Sequence, residues 1–364
     1  MNMNKSLIAL AVAGVFATSA AIADVSIYGQ ANVSYDVINN DGNRDSQGVA
    51  SNASRFGLKG SETLGSGLSA IWQIESQIAI GAGEGGTDNV DARSGTRVAQ
   101  RDTFAGLKSD TAGTLRLGRF DTPYKVATRG MDMFANTIAD NRSLMGIGHD
   151  ARTSNSVGFN SLNYSGFSVA ASYFGDQGGT APGSASPAGL NPGNSPAHTN
   201  EGASLAAMYE AGPIYATAAY QSISNELGDI YKTSAWKGGV GYATDLFALN
   251  GVYERISNSN GAGNSTAFYL SAKYNMTADD ALKLAFADVN GDAGRNNKTG
   301  AQQYTVGYDH KMSKHTTLYA LYTNLNNDRN IGYQLGWNSA SSSISNTVAG
   351  GDASAFSLGV KHAF

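Results

Sequence analysis

The sequence predicts an all-β fold, a 16-stranded antiparallel transmembrane β-barrel. Three observations carry that prediction. Apolar and polar residues alternate with a period of two from Val25 to Phe364. The spacers between the alternating runs are short and long in turn. The polar faces carry Ser, Thr, Asn, Gln, Gly and charges rather than residues that pack a core.

The first run, VSIYGQANVSYDV (25–37), sets Val25, Ile27, Ala31, Val33, Tyr35 and Val37 on one face. Ser26, Gln30, Asn32, Ser34 and Asp36 take the other. Side chains alternate across a pleated backbone, so this is a strand with one apolar and one polar surface. LSAIWQIESQ (68–77), FSVAASY (167–173), AFYLSAKY (267–274), QYTVGYDH (303–310) and TLYALYT (317–323) repeat it. Tight spacers such as TLGSG (63–67) and EAGP (210–213) alternate with long Gly/Asn/Ser/Asp-rich ones at 38–53, 80–99, 175–202 and 326–353. That is the rhythm of hairpins whose loops project from one end. Sixteen strands follow: 25–37, 54–62, 67–79, 100–108, 114–120, 151–160, 166–174, 202–210, 213–222, 234–243, 246–256, 266–275, 280–290, 301–311, 316–325 and 354–364.

A soluble sandwich would bury the apolar faces, whereas a membrane barrel turns them to lipid. Size decides between them. Sixteen strands in one barrel enclose more space than side chains can fill, so the interior holds water. In hydrocarbon an unpaired edge is untenable, so the first and last strands should pair. Tyr28, Tyr35, Phe174, Tyr209, Tyr220, Tyr242, Tyr253 and Tyr322 lie near strand ends, where aromatic girdles belong. Ordinary β-propensity would account for any one of them.

The N-terminus and the composition narrow the class. Lys5, an apolar run and Ala21-Ile22-Ala23 make residues 1–23 a cleaved signal peptide, leaving 24–364 as the barrel domain. The run is shorter than the ~20 residues a spanning helix needs. The chain has no cysteine, so no disulfide stabilises it outside the cell. With 29 acidic against 25 basic side chains it has no nucleic-acid footprint. GAGEGG (81–86) matches a dinucleotide-binding pattern, but no βαβ unit surrounds it. His149, His198, His310, His315 and His362 are scattered without metal-ligand spacing. Asp88 and Asp91 could bind a divalent ion or simply be solvated. No catalytic constellation and no cofactor site can be assembled, so an enzyme is not expected.

One connection breaks the rhythm. Residues 121–150 mix Met131, Met133, Phe134, Ile138, Leu144 and Met145 with acids and arginines. Exposed loop tips seldom combine these, so the segment should pack against something, and MDMFANTIADN (131–141) could form a short helix. Inward parity selects Arg55 and Lys59 on the second strand, Arg101 on the fourth, Arg116 on the fifth and Arg152 above the sixth. Facing lipid, each would cost roughly 2–4 kcal/mol at the midplane. Basic side chains lining a pore favour anions. The plainer alternative is that some of them only anchor the 121–150 loop.

The signal peptide running into DVSIYGQANVSYDV, SRFGLKGSE (54–62), RDTFAGLKS (101–109), LRLGRFDTPY (115–124) and the terminal Phe together resemble general diffusion porins. The nearest group is the Gram-negative outer-membrane porins typical of β-proteobacteria, and the resemblance covers essentially the whole chain. It implies a passive, water-filled outer-membrane channel for ions and small hydrophilic solutes, assembled as a homotrimer among outer-membrane lipid and lipopolysaccharide. It further implies that 121–150 is the third external loop, folded into the lumen as a constriction. There the loop acids Asp121, Asp132 and Asp140 would oppose an arginine cluster matched by Arg55 and Arg101, and more loosely by Arg152. Phe364 would be the C-terminal signal read by the barrel-assembly machinery. A substrate-specific channel for a sugar or organic anion is the alternative, with Tyr28, Tyr215, Tyr269 and Tyr319 as an inward track.

Overall fold

The computed structural model describes residues 24–80, 98–175, 200–225, 232–259, 264–291, 298–336, 339–340 and 347–364. The segment 1–23, GAGEGG with Asp88 and Asp91, and His198 lie outside the described residues. The elements are β1 (Asp24–Asn40), β2 (Ser46–Asn52), β3 (Arg55–Gly65), β4 (Leu68–Gln77), β5 (Thr103–Ser109), β6 (Gly113–Asp121) and α1 (Pro123–Arg129). After these come β7 (Arg152–Asn160), β8 (Phe167–Phe174), β9 (Asn200–Ala211), β10 (Ile214–Asn225), β11 (Thr233–Ala243) and β12 (Phe247–Asn258). The chain ends with β13 (Ser265–Asn275), β14 (Asp280–Gly291), β15 (Ala301–Lys311), β16 (Thr316–Asn327), β17 (Ser339–Ala340) and β18 (Ala353–Ala363).

Every strand pairs antiparallel with its neighbours, and β1 closes the sheet. It pairs β3 through Ile27↔Leu58 and β18 through Val33↔Val360. Closure leaves no edge to satisfy in lipid. β2 and β3 are two halves of one wall strand. The register against β1 slips by one residue between Val33↔Ser51 and Gln30↔Arg55. Ala53, at φ 56, takes up the extra residue as a bulge. β17 is a two-residue pairing with β2, Ser339↔Asn52 and Ala340↔Ser51. The wall is therefore a closed barrel of sixteen strands.

Exposure follows the alternation. In β1, Val25, Ile27, Tyr35 and Val37 are exposed while Gln30, Asn32, Ser34 and Asp36 are buried. β15 alternates buried and exposed over most of its length. Two expected girdle aromatics face the other way: Phe174 is fully buried, and Tyr28 donates to Glu75 on the inner wall. Tyr173 takes the outward position beside Phe174. Toward the long-loop end the inner wall also departs from the polar lining expected. Ile38, Val252, Val289, Leu321 and Leu325 point inward and are buried in one apolar cluster. Something covers them there.

The C-terminus finishes the closure. Phe364 and Gly29 exchange both backbone hydrogen bonds, at 2.8 and 3.1 Å. A Cβ on Gly29 would collide with the Phe364 ring, so the bare glycine lets the ring lie against the backbone. His362, the outward polar residue, bonds Thr316 Oγ1 at 2.8 Å.

Candidate functional site

The cover is the segment between β6 and β7. Thr122 caps α1 by accepting from Lys125 N, and Pro123 occupies its first turn. Tyr124 N donates to Ser204 Oγ on β9 at 2.9 Å, and Tyr215 OH on β10 donates to Ala127 O at 2.7 Å. Lys237 on β11 pairs with Asp150 at 2.8 Å. On β12, Glu254 accepts from Tyr124 OH at 2.8 Å and from Gly146 N at 2.7 Å. Ser271 on β13 donates to Met131 O at 2.8 Å, and Asn32 on β1 donates to Asn136 O at 2.8 Å. All of these partners have inward parity, so the loop lies against the inner wall from β9 across to β1. Met131, Phe134, Ile138, Leu144 and Met145 fill the apolar cluster left open by the wall. Burying that surface is what drives the loop inward.

The loop's helix is not where the sequence suggested. It occupies Pro123–Arg129, and 131–141 is a chain of turns leading into the one-turn 3-10 helix Asn141–Ser143. Asp132 accepts from Phe134 N and Asn141 N, while Asp140 accepts from Asn136 N and Arg142 N. Aspartates that bond nearby backbone amides compete with a helix for them.

Those bonds also decide where the loop acids point. The Asp132 and Asp140 side chains have no exposed surface. Arg129 and Arg142 both pair with Asp140, Arg129 also reaches Asp132 at 3.3 Å, and Tyr269 OH donates to Asp132 at 2.7 Å. Burial disfavours the Asp140 charge, but the two arginines outweigh it and hold its carboxyl well below the usual range. Asp132 is raised, by burial first and then by the neighbouring Asp140 charge. Neither acid faces the wall cations across open space, as the sequence reading expected. Their charge is spent within the loop. Asp121 alone of the three meets a wall cation, Arg152 at 3.0 Å, and it also pairs with Lys125 of α1 at 3.0 Å. Burial pushes the Lys125 amine down to about 8 despite that carboxylate.

The wall cations lie on the side that the loop leaves uncovered. Arg55 and Arg101 share Glu75 on β4, with Arg55 Nε 3.7 Å from its carboxylate and Arg101 bonded to it directly. Arg152 bridges Asp102 and Asp121. Lys59 Nζ stands 5.2 Å over the Tyr28 ring. Arg116 donates to Asn160 at 2.8 Å and lies 4.5 and 5.3 Å from the Phe120 and Phe104 rings. Arg55 and Arg101 are therefore joined through Glu75, Arg152 is held by Asp102, the residue after Arg101 in the chain, and by Asp121, and Lys59 and Arg116 make other contacts. Side-chain exposure is 27% for Arg55 and 15% for Arg101 against 8% for Glu75, so this trio presents more cation than anion surface, whereas beside Arg152 the carboxylates of Asp102 and Asp121 are the more exposed.

Sequence reasoning missed Glu75, Asp102, Glu254, Arg129 and Arg142. Glu75 and Glu254 stand at inward parity on their strands, which was legible, but their partners are distant in sequence. The four proposed track tyrosines do point inward. Each hydroxyl is already committed: Tyr28 to Glu75, Tyr215 to Ala127 O, Tyr269 to Asp132 and Tyr319 to Asn32. His149, near the end of the loop, is buried against the wall and bonded to Thr233 on β11, and burial pushes its ring down to about 3.

Comparison with known proteins gives the setting. The family model described as Gram-negative porin matches residues 9–330. The major outer membrane protein P.IB of Neisseria sicca is 32% identical over 182 residues, 47% of this chain and 47% of that protein. The match therefore spans about half the length of that relative. Outer membrane porin protein 32 of Delftia acidovorans is 26% identical over 378 aligned positions that cover 100% of both chains. Among solved structures, the anion-selective porin from Comamonas acidovorans has the same fold, with a TM-score of 0.72 at 21% identity, covering 94% of this chain and 100% of that one.

Proposed function

The chain belongs to the Gram-negative porin family, and from that premise we propose that it is a passive, water-filled channel of the outer membrane. It passes ions and small hydrophilic solutes and is not an enzyme. Solutes cross between the 122–151 loop and the wall that carries Arg55, Lys59, Arg101, Arg116 and Arg152. The loop sets the size limit. The cations bias passage toward anions, because a charged lining in a narrow, partly dehydrated passage favours the opposite charge. One observation supports this above the others: the loop is bonded to the inner wall at β9 to β13 and at β1, while Arg55, Arg101 and Arg152 stand on or beside β3, β5 and β7.

The channel works as a homotrimer in outer-membrane lipid and lipopolysaccharide, with Phe364 as its assembly signal. Reconstitution of the purified protein into a planar bilayer tests the reading. Ohmic steps, arriving in threes, with a zero-current potential displaced to the anion side of a salt gradient are expected. Absence of conductance would overturn the channel, and a cation-sided potential would overturn the role given to the wall.

A further inference from the structure

A second segment is folded inward. After β16 the chain turns back at Asn327, whose side chain accepts from Tyr333 N at 2.9 Å and donates to Tyr333 O at 3.1 Å and Gly351 O at 2.8 Å. Thr347 Oγ1 donates to the same Tyr333 carbonyl at 2.6 Å. The bend carries Ile331, Tyr333 and Leu335 inside, where they are 1%, 1% and 0% exposed. They join the same cluster as Phe134, Ile138, Leu144 and Met145 of the first loop. Gly336 N donates to Ile138 O at 3.0 Å, so the two loops are also joined through their backbones.

An apolar cluster inside a water-filled barrel is stable only if it is covered on every side. The wall supplies Ile38, Leu321 and Leu325, the first loop one cover and the 328–336 segment the other. We propose that residues 328–336 are a latch that seats the 122–151 loop, so that two loops together set the aperture. The inference rests on the channel reading above, and it names the residues that hold the constriction rather than those that line it. Without the latch Ile138 and Leu144 would meet water, and the seated loop would open more often.

The native chain has no cysteine, so Ile138→Cys introduces a single thiol at a position that is 0% exposed. In the otherwise native protein this thiol is expected to resist a charged, water-soluble methanethiosulfonate reagent. In a Leu335→Asp background its labelling should accelerate by on the order of tenfold or more, because a carboxylate cannot stay in that cluster. Leu335→Ala, which removes apolar contact without adding charge, should accelerate it by less. Far-UV circular dichroism confirms that the barrel is intact in each variant, since the latch is no part of its strand pairing. Rapid labelling in the native background, or equal protection in all three, would overturn the latch. Failure of the channel reading would appear separately, as a native protein without conductance, because labelling does not depend on ion flow.

Discussion

Tyr124 and Glu254, 130 positions apart in sequence, meet at 2.8 Å with both side chains sealed from solvent. The other oxygen of the same carboxylate takes Gly146 N at 2.7 Å. One wall residue thus holds the start and the end of the inward-folded loop. Burial and the Glu254 charge raise the Tyr124 hydroxyl far above its ordinary range, so it remains a donor at any physiological pH.

Glu254→Ala would leave Tyr124 OH and Gly146 N without an acceptor, at roughly 1–3 kcal/mol for each buried group left unpaired. The loop should lift while the barrel persists. Protease cleavage within 122–151 should rise, and single-channel current should become larger and noisier. Cleavage and current like the native protein's would mean that Glu254 carries no such load.

Glu75 neutralises part of the charge on Arg55 and Arg101. Glu75→Gln keeps the shape and an acceptor oxygen but removes the negative charge. The zero-current potential in a salt gradient should move further toward anions, and Arg101→Gln should move it back. A potential that Glu75→Gln leaves unchanged would place the selecting charges elsewhere.

His149 is neutral in the folded protein down to about pH 3, because burial disfavours its charge. In an unfolded or lifted segment it would take up a proton near pH 6.5. Between those values the lifted state binds more protons, so seating of the loop is at full strength above about pH 6.5 and weakens as the pH falls toward 3. Protease sensitivity of the loop should therefore increase on acidification. His149→Gln, which cannot titrate, should flatten that part of the profile, and an unaltered profile would assign the acid response to another group.

The Phe364 ring lies over Gly29, and the two backbones exchange both hydrogen bonds. Gly29→Val should displace the ring while leaving the terminal aromatic in the sequence. Phe364→Ala removes it. If the aromatic is read by an assembly machinery, Phe364→Ala should lower the yield in cells far more than it slows unassisted refolding in detergent. Equal losses in both assays would assign Phe364 to barrel closure alone.

Much of the fold was legible because its cause is local. The faces of β1 follow from alternation between Val25 and Val37, and the pairing of β1 with β18 follows from the intolerance of hydrocarbon for a free edge. β2 was read as part of a long spacer. SQGVASN (46–52) has no apolar alternation of its own, and its strand geometry comes from pairing with β1. The loop helix was misplaced because Asp132 and Asp140 look compatible with a helix until their carboxylates are seen on backbone amides.

The sequence by itself determined which face of each strand meets lipid, that the sheet closes, and that 121–150 differs from the other loops. Those properties depend on neighbours two residues away and on the solvent, and both can be read along a line. Only the tertiary structure decided which charges remain exposed. Asp132 and Asp140 are spent on Arg129 and Arg142 inside the loop, and Glu75 is divided between Arg55 and Arg101. Coulomb energy depends on distance through space, and those distances exist only once the loop has folded against the wall.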